Sequence, residues 1–157
     1  MTRRQLLTAL AAIGLARSAT AAKSARPDAV RISEAEWRKR LTPDQYEVLR
    51  REGTEPPFSS PLNGEKRRGQ YRCAGCELAL FTSEAKYDSG TGWPSFTAAL
   101  EAAVGTRTDY KLIFPRTEYH CARCGGHQGH VFNDGPRPTG KRYCNNGVAL
   151  KFEPLGA

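Results

Sequence analysis

Two kinds of alternation divide the chain at Gly53. Before it, apolar positions recur at helical spacing behind capping signals; after it, short apolar and β-branched runs alternate with glycine and proline turns. Ser33-Glu34-Ala35-Glu36 has capping-box form, in which the Ser33 hydroxyl accepts from the Glu36 N–H while the Glu36 carboxylate reaches back, and predicts a helix to about Leu41. Thr42-Pro43-Asp44-Gln45 repeats the signal with Pro43 at the first helical position, Tyr46 and Leu49 on the apolar face and Gly53 as the expected terminator. Pro56-Pro57 and Pro61 to Gly64 exclude helix. Beyond them the expected strands cover residues 69–72, 78–81, 110–114, 118–120, 130–132 and 148–152, and only 98–104 has helical character. This pattern predicts a mainly β, mostly antiparallel domain with two short N-terminal helices packed on it.

The chain's 157 residues suit a single domain with a core of its own. Residues 1–21 read as an export signal: Arg3-Arg4 at a basic start, an apolar stretch from Leu6 to Ala16, and Ala19-Thr20-Ala21 as a small-x-small cleavage site. The adjacent arginines followed by Gln5-Leu6-Leu7 resemble a twin-arginine signal, so a periplasmic or exported location is expected, without stable membrane insertion after cleavage. Residues 22–32 read as a flexible tether and residues 33–157 as the folded domain. Loss of Arg3, Arg4 and Arg17 reduces the formal charge from +8 to +5, too small an excess to argue for nucleic acid as a partner.

Four of the five cysteines form two Cys-x-x-Cys pairs, Cys73/Cys76 and Cys121/Cys124. A two-residue spacer lets one tight turn aim two sulfurs at a tetrahedral ion, and two such turns make a closed four-thiolate zinc site with no open position for substrate. In an oxidising compartment two disulfides, or redox-active pairs, are the alternatives. Cys144 is left over. Asp134-Gly135 and Thr139-Gly140 read as turns, which makes the segments carrying His127, His130 and Cys144 neighbouring strands. In a strand Arg142, Cys144 and Asn146 share a face, so the guanidinium is expected to favour the Cys144 thiolate; a buried, inert thiol is the competing reading. His127 and His130 suit proton delivery better than metal binding because four cysteines already fill a tetrahedron, while His120 reads as structural. Trp93, in the glycine-flanked loop 90–96, belongs either to the core or to a pocket wall.

Several blocks together resemble the B-type methionine sulfoxide reductases: Tyr87-Asp88-Ser89-Gly90-Thr91-Gly92-Trp93-Pro94-Ser95-Phe96, both Cys-x-x-Cys turns, Gly126-His127-Gln128-Gly129-His130-Val131-Phe132, Asp134-Gly135-Pro136, Pro138-Thr139-Gly140, and Arg142-Tyr143-Cys144 with Asn146. The resemblance spans residues 33 to 153. It implies two antiparallel β-sheets in a tent-like or barrel-like arrangement, braced by structural zinc on Cys73, Cys76, Cys121 and Cys124. It implies reduction of the R epimer of methionine sulfoxide in proteins or peptides, with Cys144 as the nucleophile that becomes sulfenic acid. His127, His130, Asp134 and Asn146 would then organise the proton and water at the sulfoxide oxygen, Arg142 would sit beside the thiolate, and Trp93 and Phe132 would bind substrate.

Two departures from the family pattern stand out. Thr91 occupies the place of a resolving cysteine found in many members, so an external thiol reductant, thioredoxin-like or of low molecular weight, is expected as partner to a monomer. Gln128 replaces the leucine common between the two histidines, and Asn145 and Gly147 flank Asn146 unusually. The competing hypothesis is a zinc-stabilised binding module that keeps the fold and has no need of Cys144.

Overall fold

The computed structural model describes residues 26–156. The expected export signal over residues 1–21 and positions 22–25 of the expected tether lie outside the described residues. From Arg26 onward the tether segment is docked rather than free. The Val30 N–H donates to the Arg123 carbonyl at 2.9 Å, Arg26 donates to the Ala102 carbonyl at 2.7 Å, and Asp28 pairs with both Arg26 and Arg123. Val30 and Ile32, alternating with Arg31, supply the apolar side that packs on the core.

Helix α1 (Glu34–Arg40) is capped by the Ser33 hydroxyl, which accepts from the Glu36 N–H at 3.2 Å. The Glu36 carboxylate does not reach back as expected; it takes the Arg40 guanidinium one turn on, at 3.1 Å. Helix α2 (Pro43–Arg51) has both halves of its capping box. Its left-handed cap falls one residue before the expected terminator: Glu52 takes that conformation at φ 58°, and the Gly53 N–H closes on the Glu47 carbonyl at 3.0 Å. Trp37 and Leu49 are the buried anchors of the two helices, and Leu49 lies where a Cβ on Gly126 would come within 3.0 Å of it. The helices thus brace the second cysteine turn.

Two antiparallel sheets follow. The smaller places β1 (Gly69–Cys73) between β2 (Ala79–Thr82) and β9 (Leu150–Pro154). The larger runs, in spatial order, β3 (Lys86–Tyr87), β4 (Ser95–Phe96), β8 (Arg142–Asn145), β7 (His127–Phe132), β6 (Arg116–Cys121) and β5 (Val104–Asp109). Between them lies an aromatic core in which Phe81 stacks on Phe96 at 4.1 Å, Tyr71 meets Phe96 at 4.9 Å and Tyr119 meets Phe81 at 6.1 Å. All four rings are fully buried, each contributing on the order of 1.5–3 kcal/mol by transfer from water.

Two segments differ from the sequence expectation. Residues 110–114, expected as a strand, form the tip of the β5–β6 hairpin, because the Asp109 carboxylate accepts from the Lys111 N–H at 2.9 Å and turns the chain out of the sheet. Residues 98–104, with their helical character, form turns leading into β5, with Ala102 at φ 52°.

Candidate active site

The larger sheet has a core face and a chemical face. Ser95, Cys144, His130, Glu118 and Arg107 are directly opposed in register, one each from β4, β8, β7, β6 and β5. Directly opposed residues share a face, as do residues two apart in a strand. The next rungs therefore add Phe132 opposite Arg142 and Asp109 opposite Arg116 to the same side. The alternate rung, Tyr119, Gly129 and Asn145, faces the core, and a Cβ on Gly129 would lie 1.9 Å from the Cys144 carbonyl oxygen. Only glycine lets β7 approach the Cys144 strand this closely.

A cleft of about 290 Å³ opens on this face, lined by Thr91, Trp93, Arg116, His130, Phe132, Arg142, Cys144 and Asn146. Larger clefts of about 670 and 730 Å³ lie elsewhere and contain no cysteine. Cys144 is half-buried in the wall of its cleft. Burial pushes its thiol up; the nearby Arg142 charge and Thr91 hydroxyl oppose this without reversing it. The expected help from Arg142 is present, but desolvation outweighs it. Arg142 itself is fixed by two hydrogen bonds to Asp134, at 2.9 and 2.7 Å, and by lying 4.3 Å over the Phe132 ring. Asp134 is thus exposed and orients Arg142 rather than facing the cleft.

Both histidines are held by carboxylates that the sequence reading passed over. The His130 Nε2 lies 2.7 Å from Asp109 Oδ2, and the His127 Nδ1 lies 2.7 Å from Glu118 Oε1. A carboxylate accepts, so the ring proton sits on the bonded nitrogen in each case, leaving His130 Nδ1 and His127 Nε2 as acceptors. Burial pushes His130 below the ordinary imidazole value, against the pull of Asp109. Glu118 is almost fully buried; that burial would raise its carboxyl, but hydrogen bonds from His120 and His127 hold it at about 2. His120, read as structural, donates to Glu118 at 3.1 Å and so completes the orienting of His127.

His127 reaches this face through a bulge. Between the Tyr119–Gly129 and His120–His127 pairs, β7 advances two residues while β6 advances one, which reverses the facing of His127. Its ring lies 5.5 Å from that of His130. His127 does not line the cleft; its Nε2 is buried without a protein partner among the described residues.

The aromatic wall is tied to the Asn146 segment through Glu55. Trp93 Nε1 donates to the Glu55 carbonyl at 3.1 Å, and the Glu55 carboxylate accepts from the Gly147 and Val148 N–H groups at 2.6 and 2.9 Å. Trp93 is half-buried in the cleft wall, not in the core. The Asn146 side chain accepts from the Glu55 N–H and donates to the Gln128 carbonyl, both at 3.0 Å. Alternation of Glu118 with His120 in one short strand was the available signal for the buried acid; Asp109 and Glu55 lie in segments whose sequence carried none.

The four cysteine sulfurs of the two turns all lie within 4.8 Å of one another, Cys73 to Cys124 at 3.7 Å and Cys76 to Cys121 at 3.5 Å. A tetrahedral ion with metal–sulfur bonds of about 2.3 Å needs sulfurs about 3.8 Å apart, and a disulfide needs about 2 Å. The arrangement therefore fits a structural metal. The cluster joins the end of β1 in one sheet to the β6–β7 turn of the other. Gln128, fully buried, connects it to the Cys144 strand: its Nε2 donates to Cys73 Sγ at 3.5 Å and its Oε1 accepts from Asn145 Nδ2 at 3.3 Å. The departures at Gln128 and Asn145 thus interlock, with Tyr119 donating to Asn145 Oδ1 at 2.6 Å.

Comparison with known proteins adds to this geometry. Residues 41–154 match the family model described as "SelR domain". "Peptide methionine sulfoxide reductase MsrB" of Methanosarcina barkeri is 53% identical over 126 residues, covering 80% of this chain and 89% of that protein. The protein of the same description from Bradyrhizobium diazoefficiens is 55% identical over 128 residues, covering 81% of this chain and 92% of its own length. The one from Agrobacterium fabrum is 50% identical over 127 residues, covering 80% and 94%.

Proposed function

This chain belongs to the SelR-domain family, and on that premise we propose that it reduces the R epimer of methionine sulfoxide, in peptides and proteins, at the Cys144 thiol. The observation that carries this reading is the register that sets Cys144 directly against His130, a nucleophile beside a proton carrier in one cleft. The Cys144 sulfur attacks the sulfoxide sulfur while the oxygen is protonated. The oxygen ends on Cys144, so the thiol sulfur is oxidised by two electrons to sulfenic acid and the sulfoxide is reduced by two to the thioether. His130 is placed to carry the proton, His127 and Glu118 to support it, and Arg142 to favour the thiolate. Trp93 and Phe132 form the apolar wall for the S-methyl group, with Asn146 at its edge.

An external thiol completes the cycle: it displaces water from the sulfenic acid to give a mixed disulfide, and a second thiol releases Cys144. Support for this comes from Thr91 in the cleft wall and from the commitment of the other four cysteines to one cluster. Zinc is the metal that four soft thiolates suit, in a purely structural role. The leader pattern supports export to the periplasm by the twin-arginine route, where a protein folded beforehand arrives with its thiolates already metal-bound. We take the enzyme to act as a monomer.

One equivalent of peptide methionine R-sulfoxide, supplied without reductant, is expected to give one equivalent of methionine and an adduct of about +16 Da on Cys144, the mass of one oxygen. Absence of both products with either epimer refutes the reading. The pH profile of this single turnover is a separate check. With Cys144 raised and His130 lowered, thiol and imidazole share one proton across neutral pH, and the reactive form carries that proton on His130. The rate falls on the acid side, where a second proton holds Cys144 as thiol, and on the alkaline side, where the last proton is lost. The plateau between is expected to be wider than the roughly two pH units separating an ordinary imidazole from an ordinary thiol. A rate that keeps rising through the alkaline range excludes His130 as the donor.

A further inference from the structure

The tip of the β5–β6 hairpin is unusually apolar for a surface. Tyr110, Leu112, Ile113 and Phe114 are 77%, 58%, 93% and 81% exposed, four large side chains within five residues. A contiguous apolar patch of this kind in water marks a docking place. The hairpin springs from Asp109 and Arg116, which are opposed in register and joined at 2.7 Å; Asp109 holds His130, and Arg116 lines the Cys144 cleft. The patch is therefore the tip of a hairpin whose base borders the cleft.

We infer that residues 110–114 bind the apolar residues flanking methionine sulfoxide in an extended or unfolded polypeptide, an inference that rests on the reductase reading above. A cleft of about 290 Å³ takes one side chain, so the polypeptide that carries it has to run across the rim. Methionine belongs mainly to protein interiors, and a segment open enough to deliver one to the cleft exposes its apolar neighbours as well. Charge at the hairpin favours the same partner. Lys111 is paired with Glu52, which Arg107 shares, and Arg116 with Asp109, so the two cations nearest the tip already have carboxylate partners and the apolar side chains are its distinguishing feature. Docking there also has a direct route to the chemistry, since Asp109 joins the hairpin to His130.

The double variant Ile113→Ser, Phe114→Ser tests this with dithiothreitol as reductant. The substrates are N-acetyl-methionine R-sulfoxide, a pentapeptide with glycine on both sides of the oxidised residue, one with leucine and valine on both sides, and oxidised β-casein. The expected result is a loss of about tenfold in kcat/KM, mainly through KM, for the apolar peptide and casein, with the other two unchanged within about twofold. Equal loss on all four substrates, or no loss on any, overturns the inference. So does binding of phosphatidylglycerol vesicles that the variant loses while its peptide kinetics stay those of the unmodified protein. Failure of the unmodified protein to reduce even N-acetyl-methionine R-sulfoxide fails the reductase reading itself and the docking inference with it.

Discussion

Replacing Cys144 by serine removes turnover, by at least about a thousandfold in kcat/KM, while the metal content and unfolding midpoint stay at their original values. The loss is this large because the reaction consumes two electrons from the attacking sulfur. A serine hydroxyl is far less acidic than a thiol, and its oxygen has no sulfenic acid counterpart to accept the sulfoxide oxygen. Structure loses little by the exchange, since Cys144 is half-buried in a cleft wall and belongs to none of the sulfur contacts of the four-cysteine cluster. Methionine release, metal content and thermal melting of the same preparation are the three readouts. Retained reduction excludes Cys144 as the nucleophile and restores the reading of a binding module; loss of metal places Cys144 in the cluster.

The chemical face is held by a series of hydrogen-bonded carboxylates, of which Glu118 is the fully buried one. Asp109 and Glu118 set the protons of His130 and His127, Asp134 sets Arg142, and Glu55 joins Trp93 to the turn after Asn146. Each converts a flexible polar side chain into a fixed one through charge-assisted hydrogen bonds, which are stronger than neutral ones. The site is therefore organised before substrate arrives. Burial nonetheless raises the Cys144 thiol at rest, so the proposed reaction requires its proton to pass to His130 before attack.

The placement of Cys144 beside the histidine strand and the clustering of the other four cysteines were legible because each is a local pattern: a spacing, a turn or an alternation. Thr42 and Pro43 started α2 as their chemistry requires, and the glycine turns brought the His and Cys segments into neighbouring strands. Long-range partners were not legible. Asp109 is 21 residues from the histidine it holds, and Glu55 is 92 residues from Gly147. The bulge that turns His127 toward Glu118 exists only in the pairing of two strands. Tyr110 to Phe114 misled for a related reason: an apolar run has the composition of a strand, and its exposure becomes visible only once Asp109 is seen turning the chain outward.

Replacing Cys121 by serine is expected to abolish metal retention and lower the unfolding midpoint by about 15 °C or more. Cys76 and Cys121 are 45 residues apart, and closing a loop of that length restricts the unfolded chain by about 4 kcal/mol on the chain-entropy scale used for cross-links. Metal binding that requires the folded arrangement adds to this directly. For a domain of this size each kcal/mol moves the midpoint by about 3–5 °C, which gives the expected shift. The consequence also reaches Cys144. Gln128 holds the Cys73 sulfur with one end and Asn145 with the other, so release of Cys73 is expected to loosen the residue adjacent to Cys144, and residual activity to fall faster with temperature than the folded fraction. Metal analysis, melting curves and activity across a temperature series check the three parts. A metal-free native protein lighter by about four hydrogens, the signature of two disulfides, replaces the metal clip by a covalent one. In that case chelators leave the midpoint unchanged and reductants lower it.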